Sequence, residues 1–183
     1  MKKLLFLVVF SLATTIQIFA QVQIARNGHV SFFSDAALEK IEGHNNKVAS
    51  TLNTATGAFS FKMNIKAFEF KQALMQEHFN ENYMESSKYP YSTFKGQITD
   101  LSKVNFSKDG TYNVSVKGDL TIHNVTKNVT VPGQIIVKNG KAQAKTVFNV
   151  AVADYGIEIP ALVKDKIAKE VKITVDTQYE PKK

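Results

Sequence analysis

The 183-residue chain has no cysteine, no tryptophan, four prolines and a single arginine, Arg26. Without cysteine there is no disulfide framework, no thiol nucleophile, no zinc ribbon and no N-terminal lipidated cysteine. With one arginine there is almost nothing for bidentate readout of phosphates or bases. The formal charge is +7, but the lysines are spread along the chain and mostly alternate with apolar residues, as on solvated strand faces. Nucleic acid needs a clustered basic face and is therefore a poor match. The chain also lacks HExxH, GxSxG, a glycine-rich phosphate loop and any histidine pair at helical spacing. The expectation is no catalytic residue, no metal site and no cofactor.

The only strongly apolar run, Leu4 to Phe10, is too short to cross a membrane and is followed by Ser11, Thr14, Thr15 and Gln17. Lys2 and Lys3 precede it, and Ile18-Phe19-Ala20 before Gln21 offers a cleavage site ending in a small residue. Residues 1–20 therefore read as a cleaved signal peptide and 21–183 as a single domain, with no stable membrane anchor. Loss of Lys2 and Lys3 leaves 21 basic and 16 acidic side chains, a formal charge of +5.

From there on the dominant period is two. Phe59, Phe61, Met63 and Ile65 alternate with Ser60, Lys62, Asn64 and Lys66. Tyr112 to Ile122, Val125 to Val137, Ala142 to Val152 and Val171 to Tyr179 repeat the pattern, each a strand with one wet face. Shorter runs at Val30 to Phe33, Ile41 to Leu52 and Ser92 to Ile98 bring the count to about eight strands, the size at which a closed barrel can hold one small ligand. Thr56-Gly57, Asp109-Gly110 and Asn139-Gly140 fall between alternating runs and predict hairpins. Lys71 to Met84 breaks the alternation, with Leu74, Met75, Phe79, Tyr83 and His78 on one helical face, and Ala161 to Ala168 predicts a second short helix. The fold class is all-β: an antiparallel eight-stranded barrel with one helix between strands 3 and 4 and a short C-terminal helical segment.

Candidate functional residues are few. His123 lies where a strand enters a turn and reads as a hydrogen-bonded turn histidine. His78 shares the helix face with Leu74 and Met75; it is either a core histidine or a polar contact at a pocket mouth. Four Asn-x-Ser/Thr triplets, at Asn105, Asn113, Asn124 and Asn128, are what frequent Asn and Thr on wet strand faces produce by chance. Ten of the 13 phenylalanines lie beyond residue 20, most on inward positions. Large residues facing small ones such as Ala142, Ala144 and Gly118 are compatible with a packed core or with an apolar cavity.

Three stretches resemble the YceI-like family: Gln76-Glu77-His78-Phe79 through Lys88-Tyr89-Pro90 to Phe94-Lys95-Gly96; Gly118-Asp119-Leu120-Thr121-Ile122-His123-Asn124-Val125-Thr126-Lys127; and Phe148 to Tyr155 with Gly156-Ile157. Asn124 stands where that family usually has glycine and Asn128 where proline is common; asparagine tolerates the left-handed conformation. The resemblance implies a lipocalin-like barrel, periplasmic or secreted from a bacterium, monomeric or homodimeric. It also implies a long-chain isoprenoid or fatty amphiphile held inside. The residues expected to line that interior are Phe32, Phe59, Phe61, Met63, Ile65, Leu74, His78, Phe79, Phe94, Leu120, Ala144, Phe148 and Val150. Strands of about ten residues tilted by about 40° would give a barrel roughly 25 Å tall, room for about five extended isoprene units. The alternative is a filled barrel that acts through its surface.

Overall fold

The computed structural model describes residues 21–182; the expected signal peptide lies outside them. The strands are β1 (Val22–Asp35), β2 (Lys40–Asn53), β3 (Ala58–Asn64), β4 (Glu69–Phe70), β5 (Tyr91–Ile98), β6 (Gly110–Ile122), β7 (Val125–Lys138), β8 (Lys141–Ala151), β9 (Glu170–Gln178) and β10 (Glu180–Pro181). Eight long strands pair antiparallel around a ring that closes where β1 meets both β9 and β2. The two-residue strands β4 and β10 only extend the edges of this ring, on β2 and β1. Closure leaves one face of each strand inward, which is why period two dominates the sequence.

The turns follow their chemistry in part. Asn139 and Gly140 both have positive φ (51° and 73°), as do His123 and Asn124 (48° and 62°), giving the two-residue hairpins β7–β8 and β6–β7. Asp109-Gly110, by contrast, does not form a hairpin. It closes a long β5–β6 connection containing a 3-10 turn at Leu101–Lys103, and the Asp109 carboxylate accepts a bond from the Asn139 N–H at 2.8 Å.

The segment read as a helix from Lys71 to Met84 is one α-turn region, α1 (Ala73–His78), running into a π-type turn at Phe79–Tyr83. No residue of either is fully buried, because the segment roofs one barrel end instead of packing inside it. The second helix is a single 3-10 turn, Ala161–Val163. It begins after Pro160, and Leu162 is 95% exposed. So short a helix has too little apolar contact to offset nucleation.

The two ends of the barrel differ. At the end holding the β2–β3 and β7–β8 turns, Ala25, Leu52, Phe59, Ile98, Val114, Ile135, Val137, Ala142 and Tyr179 form a packed plug. The Gln23 side chain seals it, donating to the Gly140 carbonyl and accepting from the Ala142 N–H, both at 2.9 Å. The Tyr179 hydroxyl lies 2.6 Å from Ser50 Oγ, and burial pushes this phenol far above its ordinary range. The folded state therefore retains the tyrosine proton while the unfolded chain releases it from about pH 10. The associated stability is complete below pH 10 and falls by about 1.4 kcal/mol per pH unit above it. Urea midpoints at pH 8, 9.5 and 11 should show this loss, and Tyr179→Phe should lose less between pH 9.5 and 11 than the wild type.

The wall has a seam between β7 and β8. β6 and β7 pair over their full length, but β7 and β8 pair only from Lys138↔Lys141 to Gln134↔Lys145. Counting from the hairpin, even-numbered residues of β7 turn their backbone groups toward β8, so the next position to join that ladder is Pro132. Proline has no N–H to donate and the ladder stops there. Thr146 Oγ1 bridges to the Pro132 carbonyl across the start of the gap.

Candidate functional site

Two adjoining cavities occupy the barrel above the plug. The inner one, about 120 Å³, reaches the wall seam at Pro132, Gly133, Gln134, Lys145 and Thr146. The outer one, about 430 Å³, opens beneath α1 and the loop after β8. Val30, Met63, Ser92, Leu120, Phe148 and Ile173 line both, so the two form one apolar passage. Its outer volume falls in the range of small-molecule sites.

Each of the expected interior residues has a definite place. Phe59, Phe61, Phe94 and Ala144 face the inner cavity. Met63, Leu120 and Phe148 stand at the waist. Phe32, Ile65, Leu74, His78, Phe79 and Val150 line the outer cavity. Ala142 and Gly118, the other small residues considered for a cavity wall, do not: Ala142 is inside the plug, and the space above Gly118 is taken by the Phe94 ring.

The mouth is built largely from residues outside regular strands. Phe68 and Phe70 join Phe32 and Phe79 in a four-ring cluster with centroid separations of 5.0 to 5.7 Å. Gly43 makes room for it, since a Cβ there would sit 2.6 Å from the Phe32 ring. Ile157, Ile159, Val163 and Ile167 complete the opposite wall from the β8–β9 connection. None of these was among the residues expected to line the interior; the spacing Ile157-x-Ile159 and the i, i+4 pair Val163 and Ile167 are the signals they leave, and neither says which way the connection faces.

Polar groups gather at the rim, where Glu39, Gln72, His78 and Lys166 line the opening. His78 is exposed there and lines the outer cavity; it is not in the core. Tyr83 also lines this cavity, and burial raises its phenol above the ordinary value. An amphiphile with its tail inside would meet its polar contacts at this rim.

His123 is the hydrogen-bonded turn histidine expected. Its ring nitrogens face the Tyr155 carbonyl at 3.3 Å and the Glu85 carboxylate at 2.8 Å, and Tyr89 meets the ring edge-on. Glu85 and His123 both hold left-handed backbone, with φ of 41° and 48°. The pair ties the segment after α1 to the β6–β7 turn and so fixes the roof over the outer cavity. His29 and His44 stack at 5.4 Å on the β1–β2 pair, with the Glu42 carboxylate 3.4 Å from His44 Nε2; among the described residues no group of three or more His, Cys, Asp or Glu is arranged to hold a metal ion.

Comparison with known proteins comes to the same architecture. The profile of the YceI-like domain family matches residues 22–179. Among solved structures, the chain is similar to a polyisoprenoid binding domain from Saccharophagus degradans, with 13% identity, TM-score 0.77, and 89% of this chain and 99% of that one covered. It is also similar to BcnA of Burkholderia cenocepacia, with 18% identity, TM-score 0.68 and coverage of 82% and 95%. A third likeness is to the YCEI protein of Campylobacter jejuni, with 14% identity, TM-score 0.58 and coverage of 76% and 85%. At these identities the likeness shows the fold. No curated protein matches the chain.

Proposed function

Because this chain belongs to the YceI-like domain family, we propose that it is an exported binding protein that takes the tail of a polyisoprenoid or other long-chain amphiphile into its barrel and performs no chemistry on it. The observation that carries this reading is the apolar passage above the plug, open at one end and ringed there by polar side chains. The similar domain from Saccharophagus degradans is described as polyisoprenoid-binding. The thirteen interior residues named from the sequence are the proposed ligand contacts.

Burial energetics support a tail as the main source of affinity. At about 0.8 kcal/mol per buried methylene, ten methylenes contribute roughly 8 kcal/mol, which corresponds to micromolar binding without any head-group bond. The length of the passage then sets selectivity. Strands of up to 14 residues exceed the ten assumed from the sequence, but the plug takes up the added height.

Mass spectrometry of organic extracts of the purified protein should find a co-purifying long-chain lipid, and the delipidated protein should take up added isoprenoid quinone. Absence of both would remove the reading in favour of a barrel acting through its surface. Export rests on residues 1–20 with their basic start, apolar run and Ala20. Exported material should begin at or near Gln21 by intact mass, whereas Met1 retained in a membrane fraction would mean an anchored protein.

A further inference from the structure

The passage has a floor, and next to the floor its wall has a gap. The plug closes the end below the inner cavity, where the Gln23 side chain bonds to Gly140 and Ala142. A tail that reaches this floor can go no deeper. Just above it β7 and β8 stop pairing at Gln134↔Lys145, although β6 holds β7 as far as Val125 and β9 holds β8 as far as Ala151. Two strands, each held on its other side, therefore part from Pro132 and Val147 onward.

The inner cavity enters this gap. Its lining includes Pro132, Gln134 and Lys145, exposed residues that alternate with the inward-facing Val131, Gly133 and Ala144. Gly133 has no side chain to close the gap from within. Lys145 is drawn sideways, its Nζ lying 3.1 Å from the Asp176 carboxylate on β9, which leaves Val147, 53% exposed, as the large apolar side chain on the outer lip. A hydrocarbon between two strand edges is ordinarily opposed by the unpaired N–H and C=O groups that it would cut off from water. On the β7 side that opposition is removed where the cavity arrives. Pro132 has no N–H, and its carbonyl accepts from Thr146 Oγ1. An added peptide strand would need those same two groups free to pair, so the chemistry of the gap favours a tail over a peptide.

We propose that the gap at Pro132 and Val147 is a side exit, through which the far end of a chain longer than the passage leaves the barrel. This exit presupposes the reading of the passage as a lipid site. It extends the ligand class to polyisoprenoids of more than about five units, the number that a barrel roughly 25 Å tall holds extended. Units beyond the exit lie on the outer wall against Val147 instead of folding back.

The test uses polyprenyl alcohols of about three to about ten units, each carrying an alkyl diazirine at the end remote from the hydroxyl, photolysed with the delipidated protein and mapped by peptide mass spectrometry. Short members should label inner-cavity residues such as Phe61 and Phe94. Members longer than about five units should label Pro132 or Val147. Long members that label Phe32 or Phe79 at the mouth would reveal a folded-back chain and overturn the exit while leaving the lipid site standing. Uptake of no member at any length overturns the lipid-site reading, and the exit with it. Pro132→Val supplies a second readout, since valine restores the N–H and should let the ladder extend to Val147, protecting the amides of both residues from hydrogen exchange. With the gap closed, the ratio of long-member to short-member affinity should fall about tenfold, the effect of two methylenes kept out of the passage. An unchanged ratio together with protected amides would also overturn the exit.

Discussion

Gly118→Val should be the most destabilising single substitution in the wall, costing more than about 3 kcal/mol in urea denaturation. Gly118 on β6 lies opposite Gly96 on β5. A Cβ at 118 would fall 2.4 Å from the Gly96 Cα and from the Lys95 carbonyl oxygen, and 2.8 Å from the Phe94 ring. A Cβ at 96 would meet the same ring at 2.5 Å and the Lys117 carbonyl at 2.6 Å. The paired glycines thus let two backbones and one ring share a space that ordinarily holds two side chains. Neither strand can retreat, since β5 is held on its other side by β3 and β6 by β7. Ring rotation would relieve the Phe94 contact but not the two backbone contacts. Gly110→Ala is the matched control: its nearest neighbour is the flexible Tyr112 side chain at 3.3 Å, and the expected cost is under about 1 kcal/mol. A Gly118→Val protein as stable as that control would mean that β5 and β6 are not in this register.

The same glycine shows where sequence reasoning reaches its limit. Its place on an inward register follows from the alternation Val114, Val116, Gly118, Leu120, and the inference that an inward small residue widens the interior is sound as a local argument. What fills the gap is Phe94, from a strand more than 20 positions earlier, and no spacing within β6 contains that fact. The eight long strands were legible because closure buries one face of each and writes period two into all of them. The Asn139-Gly140 hairpin was legible because its two residues directly join β7 to β8, whereas Asp109-Gly110 ends a long connection from β5 that no local spacing reveals.

The mouth divides along the same line. Phe32, Phe79 and Val150 could be assigned inward because each lies in a periodic segment. Phe68 and Phe70 sit between a 3-10 turn and α1, where period two and period 3.6 are both interrupted, and only their packing against Phe79 says that they face the cavity. The seam is intermediate. Pro132 is visible in the sequence as a residue that cannot join a ladder on one side, but which side requires the hairpin register to be known.

Ala144→Phe should shorten the passage without unfolding the barrel. Ala144 on β8 lies opposite Ile135 on β7 and Thr177 on β9, only partly buried, and faces the inner cavity just above the plug. In a filled interior an added ring would overpack and cost about 1 to 3 kcal/mol or more. Here it has a cavity of about 120 Å³ to enter, so the lipid-free protein should change in stability by less than about 1 kcal/mol. The ring then denies the deepest part of the passage to a tail. Excluding three or four methylenes at about 0.8 kcal/mol each removes roughly 3 kcal/mol, on the order of 100-fold in affinity. The loss should depend on chain length, because a short amphiphile occupies only the outer cavity between Phe32, Phe79 and Val150 and never meets position 144. Competition titrations with a homologous series of isoprenoid alcohols would resolve this as a break in affinity against length, present in the wild type only at a longer chain. Equal weakening at every length would place the tail elsewhere, and a large loss of stability with unaltered binding would mean that the ring has no cavity to enter.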